Sequence, residues 1–436
     1  MGRTVDAGSH EDPIEAVKRE ILAKTAEYYR LQHADRSFKP DRSLVQYGGR
    51  VFDEHELING IEAVLEFQLT NGHFEREFAA RLIDTLSVQH ALLVNSGSSA
   101  NLIALSTLCS QQLPDRLQPG DEVITPAATF PTTLAPIVQN QLVPVLVDCE
   151  LGTYNIDVEQ LAAAYSDRVR AICVPHTLGN PVEMDRVLAF AQRHNLYVIE
   201  DTCDALGSRY DGQWCGTFGH IGTLSFYPAH HITTGEGGAV ITNDDRLAAI
   251  AQSFRDWGRA DPVTVTLPDD DLFDRRYYYT EIGYNLKMTE LQAAIGAAQI
   301  EKLAGFVEQR RANFDRMYAH LRRYEDVLQL PTWLSKAEPA WFALPITVRP
   351  GAAFSRAQLT RFLNAQQIET RYLFAGSILE QPGYRHIQRR VLGDLRNADT
   401  VLRHTFFVGV YPGLDETRIE YVLNAFDRFF QSIHNA

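Results

Sequence analysis

The residues with the most obvious capacity for chemistry lie between positions 225 and 238, which read SFYPAHHITTGEGG. His230 and His231 are adjacent in this segment, and histidine titrates near neutral pH, so either ring could move a proton during a reaction. A structural role is nevertheless the commoner one for a histidine. The pair lacks metal-ligand spacing such as HExxH, and the following glycines precede a strand pattern instead of the helix that a dinucleotide fingerprint requires. Neither a metal site nor a dinucleotide site is therefore expected here.

A second candidate is the run Asn95-Ser96-Gly97-Ser98-Ser99, which follows a strand pattern and opens a helix pattern. Free backbone N–H groups and the helix dipole at such a position favour a bound anion, above all a phosphate. Serine is also a common helix N-cap, and capping explains the same residues without a ligand. The run by itself leaves both interpretations open.

Acidic residues form a third candidate, because Asp201 and Asp204 follow the apolar strand pattern at 197–200. Open α/β sheets bind ligands at the carboxyl ends of their strands, where a carboxylate could hold a protonated heterocyclic nitrogen. A helix cap is an equally good explanation. Further along, Thr289 and Gln292 have the spacing of a capping box before a helix, which accounts for Thr289 but gives Asn285 no role.

The elements that must position these residues alternate between short strands and helices from about residue 70. Strand patterns recur at 91–94, 122–125, 143–147, 171–175, 197–200, 222–226 and 239–242. Short β-branched runs alternating with helices predict an α/β fold with a mainly parallel sheet covered on both faces. The short links between the last strands indicate that at least one strand departs from simple alternation.

The chain also divides by pattern into three parts. We expect a helical arm over 1–40, a large domain over 41–300 and a small α+β domain over 301–436. Residues 256–285 are charged, aromatic and without periodicity, which predicts a long functional loop. Residues 289–321 predict one long helix.

Composition excludes several classes of function. The 436 residues carry 41 basic and 55 acidic side chains, a net charge of −14, without the basic stripe that nucleic-acid binding requires. The longest charge-free apolar stretch, 91–109, contains a polar turn and predicts no membrane span. Five scattered cysteines without a CxxC pair, and an N-terminus without an apolar signal core, predict a cytoplasmic protein.

Six motifs, taken in order, resemble the DegT/DnrJ/EryC1/StrS sugar aminotransferase family. They are NSGSSAN, TPAATFPTT, VIEDTCDALGS, GTFG, SFYPAHHITTGEGGAV and GYNLKMTELQAAIG, and the resemblance runs from about residue 45 to the C-terminus. It implies the fold-type I architecture of pyridoxal phosphate (PLP) enzymes, with a seven-stranded, mainly parallel sheet in a large cofactor-binding domain and a smaller C-terminal α+β domain. It also implies a homodimer with shared active sites.

The resemblance implies contacts to the cofactor ring. Asp201 would pair with the pyridine nitrogen and keep the ring an electron sink, and Asp204 would contact the ring from the same turn. Phe130 would stack on the ring face, although core packing is also open to an aromatic residue at this position.

The cofactor phosphate has its own implied contacts. Gly97, Ser98 and Ser225 would hold it within one subunit, and Asn285 would reach the phosphate in the neighbouring subunit.

His230 stands where the family's aminotransferases carry the lysine that forms a Schiff base with the cofactor. The family's 3-dehydrases have histidine here. This resemblance implies non-covalent pyridoxamine 5′-phosphate (PMP) or PLP, with His230 as the base that removes a proton from the cofactor's methylene carbon. The hydroxyl at C3 of a nucleotide-linked 4-keto-6-deoxyhexose would then be expelled. Lys287 lies on a different segment and is not expected to replace the missing lysine.

Two other functions stay open. The chain could be a nucleotide-sugar aminotransferase that tolerates His230, or a catalytically silent regulatory homologue. Retention of Asp201, Asp204, Ser225 and Asn285 beside His230 counts against a silent site.

Within the family the sequence is most similar to the CDP-6-deoxyhexulose 3-dehydrases, which bind a [2Fe-2S] cluster through four cysteines, and more distantly to the GDP-4-keto-6-deoxymannose 3-dehydrases. Cys203 matches the first cluster ligand, but the positions 58, 60 and 68 residues later are Asp261, Val263 and Asp271. These side chains cannot replace thiolates in such a cluster. We expect no iron–sulfur cluster and regeneration of PMP by glutamate, with an external electron donor as the alternative.

Overall fold

The computed structural model describes residues 12–34, 37–40, 42–266 and 274–434. The helices are α1 (Pro13–Gln32), α2 (Glu54–Glu66), α3 (His73–Leu86), α4 (Gly97–Leu108), α5 (Pro131–Gln139), α6 (Leu161–Ala164), α7 (Met184–His194), α8 (Asp245–Arg255), α9 (Glu290–Ile300), α10 (Leu303–Leu321), α11 (Arg356–Ala365), α12 (Arg396–His404) and α13 (Glu416–His434). The strands are β1 (His90–Val94), β2 (Glu122–Pro126), β3 (Val143–Val147), β4 (Val169–Pro175), β5 (Tyr197–Asp201), β6 (Arg209–Tyr210), β7 (Gln213–Trp214), β8 (Ile221–Ser225), β9 (Gly238–Thr242), β10 (Leu328–Gln329), β11 (Ala337–Glu338), β12 (Ala343–Val348), β13 (Thr370–Tyr372), β14 (Arg390–Val391) and β15 (Thr405–Gly409).

The large sheet has the strand order β1-β9-β8-β5-β4-β2-β3-β14. All seven predicted strands are present in it, and the mainly parallel α/β architecture is confirmed. Strands β2, β3 and β8 are buried along their whole length, because helices cover both faces of a parallel sheet. This burial explains their nearly continuous apolar sequences.

One strand runs against the others, as the short links near the end of the sheet predict. Strand β9 pairs antiparallel with both β1 and β8, so that Gly238 at its start lies beside Val94 and Ser225, where those two strands end. The segment between β8 and β9, which carries His230, therefore leaves and re-enters the sheet at the same edge.

The eighth strand, β14, was not predicted. It is only two residues long, comes from the C-terminal part of the chain, and pairs parallel with β3 at the sheet edge. The guanidinium of Arg390 on this strand donates to the buried carboxylate of Glu122 on β2, with Nη2 to Oε2 at 2.7 Å. A tertiary ion pair thus holds a strand that has no local sequence pattern.

A second, antiparallel sheet of order β10-β12-β15-β13 lies in the C-terminal part of the chain, and we call it the small sheet. Helices α10, α11 and α13 pack on it around a core that includes Phe314, Phe406 and Phe426. The prediction of one helix over 289–321 is wrong. The helix breaks at Glu301 and Lys302, where the Lys302 ammonium is anchored to Glu56 by a tertiary contact that local periodicity cannot reveal.

The N-terminal part begins with α1, which packs on α2 through Lys18 and its ion pairs with Glu62 and Glu66. Tyr29 is the buried residue of this helix. Among the described residues, the helices are all too short or too polar to cross a bilayer.

Candidate active site

A cavity of about 350 Å³ lies at the carboxyl ends of β4, β5 and β8, where the large sheet faces β13 and the start of β12. It brings together seven of the eight predicted site residues, which are Gly97, Ser98, Phe130, Asp201, Asp204, Ser225 and His230. Other lining residues that the sequence did not single out include Tyr47, Thr133, His176, Tyr227, Glu236, Phe342, Arg371, Tyr372 and Phe374.

The start of α4 forms one wall of the cavity. Ser96 is the N-cap and its Oγ accepts from the backbone N–H of Ser99 at 3.1 Å, so the capping interpretation is correct. Gly97 and Ser98 occupy the first turn, where N–H groups have no intrahelical acceptor. Capping and anion binding are therefore compatible, because the cap uses the N–H of Ser99 and leaves other first-turn donors available at residues that line the cavity.

Gly97 is required by close packing. A Cβ at this position would lie 2.5 Å from Cβ and 2.8 Å from Oγ of Ser225, and 3.0 Å from Sγ of Cys203. The end of β8 thus presses the Ser225 hydroxyl against the first turn of α4. Together they form a small polar cradle.

Asp201 ends β5 and is held by several donors. Its Oδ2 accepts from Thr133 Oγ1 at 2.7 Å and from Asn101 Nδ2 at 2.9 Å, and its Oδ1 accepts from the N–H of Cys203 at 3.2 Å. Thr223 in turn donates to Asn101 Oδ1 at 2.6 Å. The network fixes the carboxylate at the cavity floor.

His230 lies beside Asp204, with 3.4 Å between its Nδ1 and Oδ1 of the carboxyl. Burial and the positive charge of Arg310 lower the pKa of His230 to about 3, so its imidazole is neutral and able to accept a proton. Burial and the nearby Asp201 raise the pKa of Asp204 to about 7. At neutral pH His230 is therefore neutral, while Asp204 is divided between its protonated and its ionised form.

The raised pKa of Asp204 predicts a pH-dependent stability. The folded carboxyl retains a proton at pH values where the unfolded one has lost it, so its stabilising contribution is present below about pH 4 and is lost as pH rises through about 7. Relative to wild type, the stability gained by Asp204→Asn should therefore increase by about 3 kcal/mol between pH 5 and pH 8. Urea unfolding of the cofactor-free protein at both pH values measures this difference. Parallel pH curves for the two proteins would contradict it.

Arg310, on α10, is a functional candidate that the sequence analysis missed. Its guanidinium donates to the main-chain oxygen of His230 at 2.9 Å and to that of Phe342 at 3.0 Å. A usable signal existed, because position 310 falls on the buried stripe of α10 between Val307 and Phe314. An arginine on an apolar stripe is seldom fully buried without a specific partner.

A cation stands at the mouth of the cavity. The Arg371 guanidinium lies over the Tyr47 ring at 4.6 Å and pairs with Glu369, whose other oxygen accepts from the N–H of Tyr47 at 3.3 Å. Its neighbour Tyr372 is covered by Arg356 at 3.5 Å. These contacts hold Arg371 in place as the positive group that an entering anion would meet.

Phe130 is 48% exposed and touches Phe374 edge-on, with ring centroids 5.7 Å apart. Core packing therefore does not explain this residue, and its face is free for a planar ligand.

Asn285 is the one predicted site residue that the chain does not bring to the cavity. It is exposed and accepts from Lys287 Nζ at 2.8 Å, while Lys287 also lies 3.5 Å over the Trp257 ring.

Of the positions compared with cluster ligands, Cys203 lines the cavity, Val263 is 64% exposed, and Asp271 lies outside the described residues. Burial raises the pKa of the Cys203 thiol well above its usual value. Within the described part of the chain, no group of three or more histidine, cysteine or acidic residues could hold a metal ion.

The donor set of the cavity fits PLP or PMP. The cradle at Gly97 and Ser225 suits a phosphate, and the fixed carboxylate of Asp201 suits a protonated ring nitrogen. The exposed face of Phe130 suits a stacked ring. His230 Nδ1 is buried and has no hydrogen-bond partner among the described residues. Buried polar atoms are usually hydrogen-bonded, so a bound ligand is the natural partner for this nitrogen.

The sequence profile of the DegT/DnrJ/EryC1/StrS aminotransferase family matches residues 52–427. The chain belongs to this family. Members with solved structures share its fold, so the predicted fold-type I architecture is confirmed.

Two relatives within the DegT/DnrJ/EryC1/StrS family are each 43% identical to the chain. One is the lipopolysaccharide biosynthesis protein RfbH of Salmonella typhimurium, matched over 95% of this chain and 98% of the relative. The other is a dTDP-4-dehydro-2,6-dideoxy-D-glucose 3-dehydratase of Saccharopolyspora spinosa, matched over 94% of this chain and 92% of the relative. Among solved structures, GDP-4-keto-6-deoxy-D-mannose 3-dehydratase of E. coli with bound hydrated PLP superimposes with a TM-score of 0.82 at 28% identity, covering 87% of this chain and 98% of that one.

Proposed function

We propose that this protein is a PMP-dependent 3-dehydratase of a nucleotide-linked 4-keto-6-deoxyhexose. The observation that carries the proposal is the composition of the cavity. It contains Asp201, Asp204 and a neutral His230, and none of its described lining residues is a lysine that could bind the cofactor covalently. A base that stays free of the cofactor suits proton removal and elimination better than amino transfer. Relatives at 43% identity and at a TM-score of 0.82 that are named 3-dehydratases support the same reaction.

Different lining residues would bind the cofactor phosphate, bind its ring nitrogen and transfer the proton. Gly97, Ser98 and Ser225 would hold the phosphate, and Asp201 would hold the ring nitrogen in its protonated form. When bound, the cofactor supplies an electron sink that lowers the barrier to removal of a carbon-bound proton. His230 would accept that proton, and the resulting imidazolium, with Asp204 3.4 Å away, would return it to the departing C3 hydroxyl as water.

Arg371 would bind the negatively charged part of the substrate or of the amino donor. It is the cation at the cavity mouth, and both the nucleoside diphosphate and glutamate carry anionic groups that suit a guanidinium. Its contacts with Tyr47 and Glu369 restrict its rotamers and so reduce the entropy lost on binding.

Glutamate is the proposed reductant, and no iron–sulfur cluster is proposed. In the net reaction the C3–O bond of the sugar is replaced by C–H, glutamate is oxidised to 2-oxoglutarate, and ammonia is released. The electron pair thus comes from glutamate and needs no reductase. We also propose a homodimer in which Asn285, which is exposed, contacts the cofactor phosphate of the partner subunit. The proposed location of the enzyme is the cytoplasm.

The test is a product analysis with purified protein, PMP, glutamate and a nucleotide-linked 4-keto-6-deoxyhexose. A 3-deoxy keto sugar, lighter than the substrate by one oxygen atom, should appear with equal amounts of 2-oxoglutarate and ammonia. An amino sugar that keeps its C3 hydroxyl, formed without ammonia, would show an aminotransferase instead. No product under any of these conditions would favour the silent homologue.

Metal analysis of anaerobically purified protein tests the electron source. We expect far less than one iron per chain and turnover that is unchanged by an added reductase. Stoichiometric iron and sulfide, with turnover only when an electron donor is supplied, would overturn the glutamate route.

A further inference from the structure

Arg310 on α10 is buried between the segment that carries His230 and the residues that precede β12. Its side chain is 1% exposed. Nη2 donates to the main-chain oxygens of His230 at 2.9 Å and Ala229 at 3.4 Å, while Nη1 donates to those of Phe342 at 3.0 Å and Trp341 at 3.3 Å. One guanidinium therefore clamps the segment that carries His230 to the entrance of the small sheet.

The charge on Arg310 is not neutralised by contact. No carboxylate among the described residues lies within ion-pair distance of it, and its Nε has no hydrogen-bond acceptor there. Burial lowers the pKa of Arg310 to about 9, which still leaves it protonated at neutral pH. Carbonyl dipoles and the more distant Asp204 are what stabilise this cation.

The positive charge of Arg310 acts on both His230 and Asp204. It disfavours a second positive charge on His230, and it favours the ionised carboxylate of Asp204. The other titratable groups close to the pair are Asp201, Cys203, Tyr227 and His231, with Tyr411 acting on Arg310 itself. Across the cavity the charged or titratable groups are Tyr47, His176, Glu236, Arg371 and Tyr372. Arg371 is the permanent cation in these two sets, and the cation hydrogen-bonded to the His230 main chain is Arg310.

We propose that Arg310 is a positioning residue that fixes the main chain of His230 and, through its charge, keeps the proton off His230 and favours the ionised form of Asp204. The part of this inference that concerns catalysis rests on the proposed function, since it takes His230 as the base. The part that concerns the charge of Asp204 does not.

Three variants separate charge from geometry. Arg310→Gln removes the charge, and Arg310→Lys keeps a cation but loses the forked donor. Arg311→Gln is the matched control from the same helix, because Arg311 donates to the main-chain oxygens of Pro339 and Glu338 outside the cavity. Melting temperatures of the cofactor-free proteins between pH 5 and pH 9, each with and without Asp204→Asn, report the ionisation of Asp204 without any turnover. The pH dependence of sugar dehydration is the second readout.

In Arg310→Gln, two pH values should each rise by about one unit: the pH up to which ionisation of Asp204 continues to destabilise the fold, and the acid limb of turnover. Arg310→Lys should leave both pH values in place but slow turnover by about tenfold, since the His230 main chain is less well fixed. Arg311→Gln should change neither.

A folded Arg310→Gln protein with wild-type pH dependence of stability would overturn the proposal. If that variant does not fold, Arg310→Lys decides, and wild-type turnover or a shifted pH dependence in it would overturn the proposal. If the protein does not dehydrate sugars at all, the stability readout still decides the role of the charge.

Discussion

Replacing His230 with asparagine is expected to reduce sugar dehydration by about 10³-fold, because general bases typically contribute 10²–10⁴-fold to a rate. Among the lining residues that the structure describes, His230 is the histidine beside Asp204, and its imidazole is neutral. Asparagine has a similar reach but cannot accept the proton. Binding of PMP should change little, since the phosphate cradle and Asp201 are untouched. Single-turnover dehydration and a PMP binding titration measure the two effects separately.

His231→Gln is the control for this experiment. His231 is buried and its Nε2 donates to the main-chain oxygen of Ala340 at 2.5 Å, outside the cavity. Its replacement should lower the melting temperature while turnover of the folded protein stays within tenfold of wild type. Loss of turnover in the His231 variant and retention in the His230 variant would reverse the assignment of the base.

Asp201→Asn is expected to reduce turnover by about 10²–10³-fold, with weaker binding of PMP. The donors Thr133, Asn101 and the Cys203 N–H converge on this carboxylate, and a neutral amide would present N–H groups to some of them. The charge that keeps the ring nitrogen protonated would also be lost. Measurements of turnover and of the dissociation constant for PMP test both parts.

Thr133→Val provides a graded comparison. It removes one hydrogen bond to Asp201 and leaves the charge in place, so the free energy of unfolding should fall by about 1–3 kcal/mol. Its effect on turnover should be smaller than that of Asp201→Asn. Equal losses in the two variants would mean that the geometry of the carboxylate, and not its charge, is what the site requires.

The sequence predicted the parts of the fold that depend on local pattern. Strand β3 reads VPVLV and is buried throughout, so its apolar run marks it plainly. The capping box at Thr289 and the N-cap at Ser96 are also local features, and the sequence placed both correctly. Strand β14 and the break near Lys302 depend on ion pairs with distant residues, and no local pattern could have revealed them.

The same division applies to the site. Asp201, Ser225 and Gly97 lie next to strand ends, so their neighbourhood follows from the topology of a parallel sheet. Asn101 and Thr133 lie inside helices and reach Asp201 only through the packing of α4 and α5 on the sheet. Arg371 comes from the small sheet and enters the cavity across the join between the two sheets. Contacts of this kind require the relative placement of elements far apart in sequence.

The late position of β14 in the chain has a consequence for biosynthesis. The ribosome releases the residues of β3 roughly 250 positions before those of β14, and until then the edge of β3 has no strand beside it and Glu122 lacks its Arg390 partner. An open strand edge is a template for pairing with other chains. A nascent chain stalled before residue 390 should therefore aggregate more readily than its length alone suggests, and completion of the large sheet must wait for nearly the whole polypeptide.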